Sequence, residues 1–320
     1  MTKESIKEKL KKPWHIFNRA EQNPTITIMG GDLREKVLMQ RLLEHGFSVK
    51  SFARPQEMIP EEAIFCEKAT EALSDVIGVV FPMAGLGSDG MLHSKGGIPC
   101  YLYEEDFELL APGTLLLTGI ESPYLAQIAE KRSLRLMAMA ERDEVAIPNA
   151  IPTAEGAIAV AIEKSPGLLQ GASALILGYG RVTQALAPRL AALGMQLIIS
   201  NRGEQRASLA REHGYKVIAW EEWPDIATEV DFIFNTVPKM LFTEAVLLTI
   251  NPQTLLVDLA AIPGGADFAA ASRLGVNAVL ASGLPGKFAP LAAGEILANV
   301  YVPLFEKVVE EGLGNEGRAK

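Results

Sequence analysis

Short apolar runs rich in Ile, Val and Leu alternate with stretches of helical periodicity along almost the whole chain. That alternation predicts parallel sheets covered on both faces by helices. In the first half the predicted strands are Ile26–Met29, Val49–Ala53, Val76–Phe81, Thr114–Thr118 and Leu134–Ala138, with helices at Leu33–Glu44 and Pro123–Lys131. The second half repeats the grammar with Ala174–Leu177, Gln196–Ser200, Lys216–Ala219, Asp231–Asn235, Leu255–Leu259 and Ala278–Leu280. No short-period repeat or low-complexity segment interrupts it. The expected fold class is α/β, with two doubly wound parallel-sheet lobes, the second of Rossmann type.

The stretch Pro148-Asn149-Ala150-Ile151-Pro152-Thr153-Ala154-Glu155-Gly156 lies between the halves and precedes an apolar helix running to about Lys164. Thr153 or Asn149 is placed to cap that helix, and Glu155 just inside its start suits the dipole. Ser165-Pro166-Gly167 then stops it. This region reads as a hinge. After Gly283-Leu284-Pro285-Gly286 a long helix, roughly Leu291 to Glu311, is predicted to return to the first lobe. The expected division is an N-terminal extension 1–24, a substrate and catalytic lobe 25–150 with 290–312, and a dinucleotide-binding domain 151–289.

At 320 residues the chain suits two cores rather than one. A net charge of −9 argues against a nucleic-acid surface, which needs clustered Lys and Arg. The one basic run, Lys3 to Lys12, reads as a solvated tail or a short amphipathic helix. Two cysteines, Cys66 and Cys100, make neither a disulfide framework nor a metal cluster, and read as small apolar residues of a reduced compartment. The N-terminus lacks the apolar core of a signal peptide, and no uninterrupted apolar stretch reaches spanning length. The expectation is a cytoplasmic protein with no membrane and no metal.

The clearest chemistry is a strand running into a glycine turn and a helix: Ala174-Leu175-Ile176-Leu177-Gly178-Tyr179-Gly180-Arg181-Val182-Thr183. Gly178 permits the tight turn and Gly180 lets a pyrophosphate approach the helix N-terminus. Thr183 stands where a third Gly or Ala is usual, so a Cβ and a hydroxyl are expected to push the helix slightly off the strand. The next strand ends in Ser200-Asn201-Arg202, where an NAD enzyme usually carries Asp or Glu for the ribose hydroxyls. A hydroxyl, an amide and a guanidinium suit a 2′-phosphate, with a charge-assisted bond worth roughly 1.5–3 kcal/mol. NADP is therefore the expected cofactor; the other reading of Arg202 is a solvated strand-end residue. Thr236, Val237 and Pro238 after the fourth strand, Leu259 and Ala260 after the fifth, and Gly283, Leu284 and Pro285 after the sixth would line the crevice where a nicotinamide sits.

Several motifs occur in a fixed order: Gly30-Gly31-Asp32-Leu33-Arg34, Pro152-Thr153-Ala154-Glu155-Gly156, Gly178-Tyr179-Gly180-Arg181, Pro263-Gly264-Gly265-Ala266-Asp267-Phe268, Gly283-Leu284-Pro285-Gly286-Lys287, Ala289-Pro290 and Gly294-Glu295-Ile296-Leu297. From about Thr25 to Leu304 the chain resembles the A subunits of dipicolinate synthase from spore-forming bacteria. The resemblance implies NADP-dependent oxidation of a dihydrodipicolinate to pyridine-2,6-dicarboxylate in the sporulating mother cell, with a second, flavoprotein-like B subunit. Hydride would leave a ring carbon for nicotinamide C4, a base would take the neighbouring proton, and aromatisation would drive the step. The chain departs from the family at Thr183, at Ala261-Ile262, where Ser and a basic residue are usual, and at Leu291-Ala292, where Lys-Thr is usual.

A small dicarboxylate substrate needs fixed cations, and Arg is the best bidentate partner. Arg34 is the leading clamp, against a plain surface Arg, and Lys287, in the loop joining the lobes, is the second. Asn149, Thr153 and Glu155 at the hinge complete the catalytic candidates, Glu155 as base or as a helix-start carboxylate. Glu141-Arg142-Asp143 reads as cleft-facing or as an internal salt bridge. His15 falls in the tail, while His45 and His213 read as helix caps. His93, with Ser88 and Lys95, sits on a glycine-rich loop that would make a lid. Homo-oligomerisation is expected. The competing readings are another NADP-dependent oxidoreductase of a small carboxylic acid and a non-catalytic NADP-binding partner subunit.

Overall fold

The computed structural model describes residues 23–96 and 99–316, so the basic run Lys3–Lys12 and His15 lie outside the described residues. The chain forms two compact units, one of Met1–Val145 with Pro290–Lys320 and one of Ala146–Ala289.

In the first unit the strands are β1 (Thr25–Met29), β2 (Ser48–Phe52), β3 (Ile64–Cys66), β4 (Gly78–Val80), a small hairpin of β5 (Met91–Leu92) with β6 (Cys100–Tyr101), β7 (Leu115–Thr118) and β8 (Arg135–Ala138). The helices are α1 (Leu33–Glu44), α2 (Ala69–Leu73) and α3 (Pro123–Lys131), followed by α4 (Asp143–Lys164), which continues into the second unit. The main sheet is all parallel with the order β3-β2-β1-β4-β7-β8. Five of these strands are legible as apolar runs. β3 escapes the pattern because it is a three-residue edge strand whose Ile64 and Phe65 are exposed, so it carries no buried run.

The second unit repeats the order as β11-β10-β9-β12-β13-β14, again all parallel. Its strands are β9 (Ser173–Leu177), β10 (Gln196–Ser200), β11 (Lys216–Ile218), β12 (Phe232–Asn235), β13 (Leu255–Asp258) and β14 (Asn277–Leu280). Its helices are α5 (Arg181–Ala192), α6 (Glu204–Glu212), α7 (Trp223–Ile226), α8 (Glu244–Leu247), α9 (Phe268–Leu274) and α10 (Leu284–Phe288). This strand order reverses direction between β9 and β12, and ligands of such sheets bind beyond the strand ends at that point. β9 pairs with β10 on one side and β12 on the other, so Leu177 lies level with Ser200 and with Asn235.

Two expectations about the connections change. The stretch Pro148–Gly156 is not a linker before a helix; it lies inside α4, which starts at Asp143. Asn149 and Thr153 are therefore not caps, and Glu155 is not at a helix start. Two prolines, each removing an internal N–H, make a continuous helix look like a break in the sequence. The Thr153 hydroxyl instead donates to Asn149 O at 2.8 Å within the helix. Contrary to expectation, this helix is also long and apolar enough to span a membrane. Ala154, Ala157, Val160 and Ala161 are nonetheless buried in the core of the second unit, the place of a core helix. Lys287, expected in a loop, lies on α10.

The final helix, α11 (Pro290–Glu316), returns to the first unit and lies along α1. Gly294 permits the close crossing: a Cβ there would stand 2.6 Å from Val37 Cβ and 2.8 Å from Arg34 O. Leu297, Tyr301, Val302 and Phe305 join Ile26, Ile28, Leu38 and Leu42 in one core. Phe305 is fully buried and meets Phe47 edge-on at a ring separation of 6.3 Å. Phe305→Ala is expected to cost about 3–5 kcal/mol in urea unfolding of the full chain. A loss below about 1 kcal/mol would show that α11 is not part of this core.

Candidate functional site

In the second unit β9 breaks at Gly178, which has φ +93° and where a Cβ would collide with the Thr236 hydroxyl. The turn is held by neutral groups. Gly178 N donates to Ser200 O at 2.9 Å, and Tyr179 N donates to Asn201 Oδ1 at 3.0 Å. Thr183 does not push α5 away as expected. It is fully buried and its hydroxyl donates to Gly178 O at 3.0 Å, next to the Thr236 hydroxyl, which donates to Leu177 O at 2.8 Å. The side chain where glycine is usual therefore satisfies a strand-end carbonyl. Gly180 begins α5 with no side-chain cap, and a Cβ there would meet only Arg206, at 3.7 Å. A helix start without a side-chain cap is a seat for an anion.

Tyr179 is 1% exposed. Its phenol lies 2.6 Å from His213 Nδ1, and its ring touches those of His213 and Tyr215. Burial pushes the phenol up to about 12, so it stays protonated. His213 caps the C-terminus of α6, so the glycine turn is tied both to the residue after β10, through Asn201, and to the far end of α6.

Beyond these strand ends lies a cavity of about 570 Å³, lined by Gly178, Tyr179, Gly180, Asn201, Arg202, Thr236, Val237 and Pro238 among the expected residues. Six further residues that the motifs do not flag also line it: Gly203, Gln205, Arg206, Trp220, Lys239 and Leu241. Among the described residues no carboxylate does so, and Glu204, next to the turn, pairs with Arg211 at 2.7 Å. The other expected cofactor residues lie elsewhere. Ser200 is buried with its hydroxyl on Ala219 O at 3.4 Å, and Arg181 and Val182 open α5. Leu259 and Ala260 follow β13, while Gly283, Leu284 and Pro285 follow β14 and open α10. Asp258, fully buried, fixes the loops around them. It accepts from Asn235 Nδ2 at 2.9 Å, Ala260 N at 3.1 Å and Gly265 N at 2.6 Å. Glu155 is exposed and lies 3.8 Å from Arg189, while Lys287 is exposed.

In the first unit the corresponding turn, Gly30–Asp32, is held by charges. Gly30 N donates to Phe52 O, Gly31 N to His93 O, and Gly31 O accepts from Lys95 N, each at 2.9 Å. The buried Arg54 donates through Nη1 to Gly30 O and through Nη2 to Asp32 O, the latter at 2.6 Å. Asp32 N donates to Glu35 Oε2 at 2.6 Å, and Glu35 lies 3.9 Å from Arg54. Asp32 caps α1 through Arg34 N at 3.0 Å and takes Nε and Nη2 of Arg34, each at 2.9 Å. Burial drives the Glu35 carboxyl up, and the two arginines do not cancel this. Burial would also raise Asp32, but the Arg34 hydrogen bonds outweigh it and hold Asp32 below its usual range. Burial lowers Arg54, whereas the bonds from Asp32 outweigh burial at Arg34 and raise it. The sequence motifs point to Arg34 but not to Arg54, which follows β2 with no motif around it.

The expected lid is tied down. Leu86 pairs with Leu92 in an isolated bridge, Gly87 N donates to Met91 O at 2.8 Å, and Leu86 and Leu92 are buried. Ser88, His93 and Lys95 are exposed on it. His45 caps α1 and meets Glu306 at 3.1 Å, and Arg142 pairs with Glu144 at 3.4 Å.

Residues 154–260 match the family described as "D-isomer specific 2-hydroxyacid dehydrogenase, NAD binding domain". With the glycine turn and its cavity, this makes the chain an NAD(P)-dependent oxidoreductase of two α/β units. Residues 25–140 match the family of the N-terminal domain of the A subunit of dipicolinate synthase. The A subunit of the dipicolinate synthase of Bacillus subtilis (strain 168) is 30% identical over 303 residues, covering 90% of this chain and 98% of the relative. The chain belongs to the family of dipicolinate synthase A subunits. Among solved structures, the A subunit from Bacillus halodurans is 31% identical with a TM-score of 0.83, over 88% of this chain and 98% of that one. The dipicolinate synthase A chain from Bacillus subtilis is 29% identical with a TM-score of 0.80, over 91% and 98%.

Replacing Thr183 with Val keeps the volume and removes the hydroxyl that Gly178 O depends on. Stability is expected to fall by about 1–3 kcal/mol in denaturant unfolding. A change within about 0.5 kcal/mol would show that the hydroxyl does not hold the turn.

Proposed function

We propose that this protein oxidises dihydrodipicolinate to pyridine-2,6-dicarboxylate with NADP, as the A subunit of a dipicolinate synthase that works with a second, flavoprotein-like subunit in the cytoplasm of the sporulating mother cell. NADP is supported chiefly by the charge of the cavity. Arg202, Arg206 and Lys239 line it with no carboxylate among the described residues, at the strand end where an NAD enzyme places an acid. A 2′-phosphate carries up to two negative charges, and two guanidiniums with an ammonium are suited to neutralise it. Trp220 offers a flat apolar face beside them, suited to an adenine. The uncapped start of α5 would take the pyrophosphate.

When bound, the oxidised nicotinamide supplies the hydride acceptor, so one hydride and one proton leave the dihydro ring as it becomes aromatic. The chain's own part is to hold the ring by its carboxylates, and Arg34 is the group best placed for this in the first unit. Its guanidinium is fixed by Asp32 and its side chain is 13% exposed. A second reading, a partner that binds NADP without turning substrate over, is favoured by Ile262 and Leu291. They are 74% and 69% exposed where the family usually carries basic residues. Turnover of dihydrodipicolinate by the purified chain would exclude it.

Titration with NADPH and NADH tests the cofactor. Arg202→Ala and Arg206→Ala are each expected to weaken NADPH about 10- to 150-fold while leaving NADH within about two-fold. Equal affinity for both nucleotides in the unaltered protein would remove NADP from the proposal.

A further inference from the structure

We propose that Arg54 is a positioning residue for a carboxylate receptor on the turn after β1, in which the Nη1–Nη2 end of Arg34 takes a carboxylate of the substrate. This rests on the dicarboxylate reading above, and it assigns a role to a residue outside the family motifs.

All six backbone polar groups of Gly30–Asp32 are paired, three of them by the buried side chains of Arg54 and Glu35. A turn at a strand end does not need charges for this. The matching turn at Gly178 is held by the neutral groups of Asn201 and Thr183 together with a backbone carbonyl. Burying an arginine and a glutamate is expensive, and such pairs add little net stability over a well-packed apolar alternative. Arg54 is moreover placed for two carbonyls at the expense of its own Nε, which is buried without a hydrogen-bond partner.

What the charges do secure is a line of fixed groups. Arg54 and Glu35 hold the carbonyl and the amide of Asp32. The Asp32 carboxylate in turn takes the Nε–Nη2 side of Arg34. A guanidinium has a second fork at its end, formed by Nη1 and the other Nη2 hydrogen, and this matches a carboxylate bidentately. No protein group among the described residues uses that end of Arg34. Arg34 and Arg54 balance Asp32 and Glu35 in formal charge. The receptor therefore selects by the placement of its fork rather than by net charge, and such a site is sensitive to small displacements.

The test measures the affinity of the full-length protein for pyridine-2,6-dicarboxylate by calorimetry, with NADPH affinity and thermal midpoint followed in parallel. Arg34→Lys is expected to weaken the dicarboxylate at least about ten-fold, because the fork is lost. Arg54→Lys and Glu35→Gln, which keep the volume and most of the hydrogen bonding, are each expected to weaken it about ten-fold with NADPH affinity unchanged. The double variant Arg34→Lys/Arg54→Lys is expected to be no weaker than Arg34→Lys alone, since Arg54 acts through Arg34. Additive losses, or a lowered midpoint with unchanged dicarboxylate affinity, would overturn the positioning role while leaving the substrate reading intact. Dicarboxylate binding that survives Arg34→Lys would likewise overturn this proposal alone. Absence of dicarboxylate binding by the unaltered protein would overturn the substrate reading and this proposal together.

Discussion

A parallel strand buried on both faces runs out of partners where it ends, because the ladder that paired its amides and carbonyls stops while water is still excluded. Whatever closes those last groups also decides the shape of the crevice beyond them. In this protein β1 and β9 stand at the centre of sheets with the same strand order, and each is followed by glycine. Their endings are closed by different chemistry. At β9 the partners are a hydroxyl and an amide, supplied by Thr183 and Asn201. At β1 they are a guanidinium and a carboxylate, supplied by Arg54 and Glu35. The first solution uses neutral groups and leaves the start of α5 without a side-chain cap. The second builds a rigid, charged ledge that carries Arg34. One sheet plan thus yields two strand ends closed by different chemistry, with a cavity beyond the second.

The ends of β12 and β13 follow the same rule. Asp258 is fully buried and its two oxygens accept an amide side chain and two backbone N–H groups. Carboxylates so satisfied are stable in low dielectric and hold the loops after both strands in one conformation. The Tyr179–His213 bond does comparable work on the other side of the cavity, joining the glycine turn to the end of α6.

Much of this is legible in the sequence. The boundaries of α1 and α3 are written in their first and last residues: Asp32 and Ser122 cap the starts, with the capping-box Glu35 and a proline at the first turn. Buried central strands are runs of Leu, Ile, Val and Phe, so β9, β12 and β13 stand out, whereas the exposed edge strand β3 does not. Local motifs also locate the glycine turn and Asn201-Arg202. Residues brought in from a distance carry no signal of their own. Arg54 reaches the first turn from the end of β2, and Trp220 and Lys239 reach the cavity from other connections of the same sheet. Arg206 is within reach of reasoning, one helical turn beyond Arg202, but helix-surface arginines are common enough to pass unremarked. Pro148 and Pro152 mislead for a physical reason: proline weakens a helix locally, but tertiary packing of Ala154, Ala157 and Ala161 outweighs the loss.

The placement of α11 has a consequence for how the chain matures. The first unit is discontinuous in sequence: Leu297, Tyr301 and Phe305 belong to its core, yet all of the second unit lies between them and β8. On the ribosome the nascent first unit therefore waits, with the apolar face of α1 uncovered, while residues 146–289 are synthesised. The second unit, continuous from α4 to α10, holds every residue of its own core before the first unit can close. During that interval the first unit is the one with apolar surface exposed to aggregation, and shortening the chain before α11 would leave that surface uncovered.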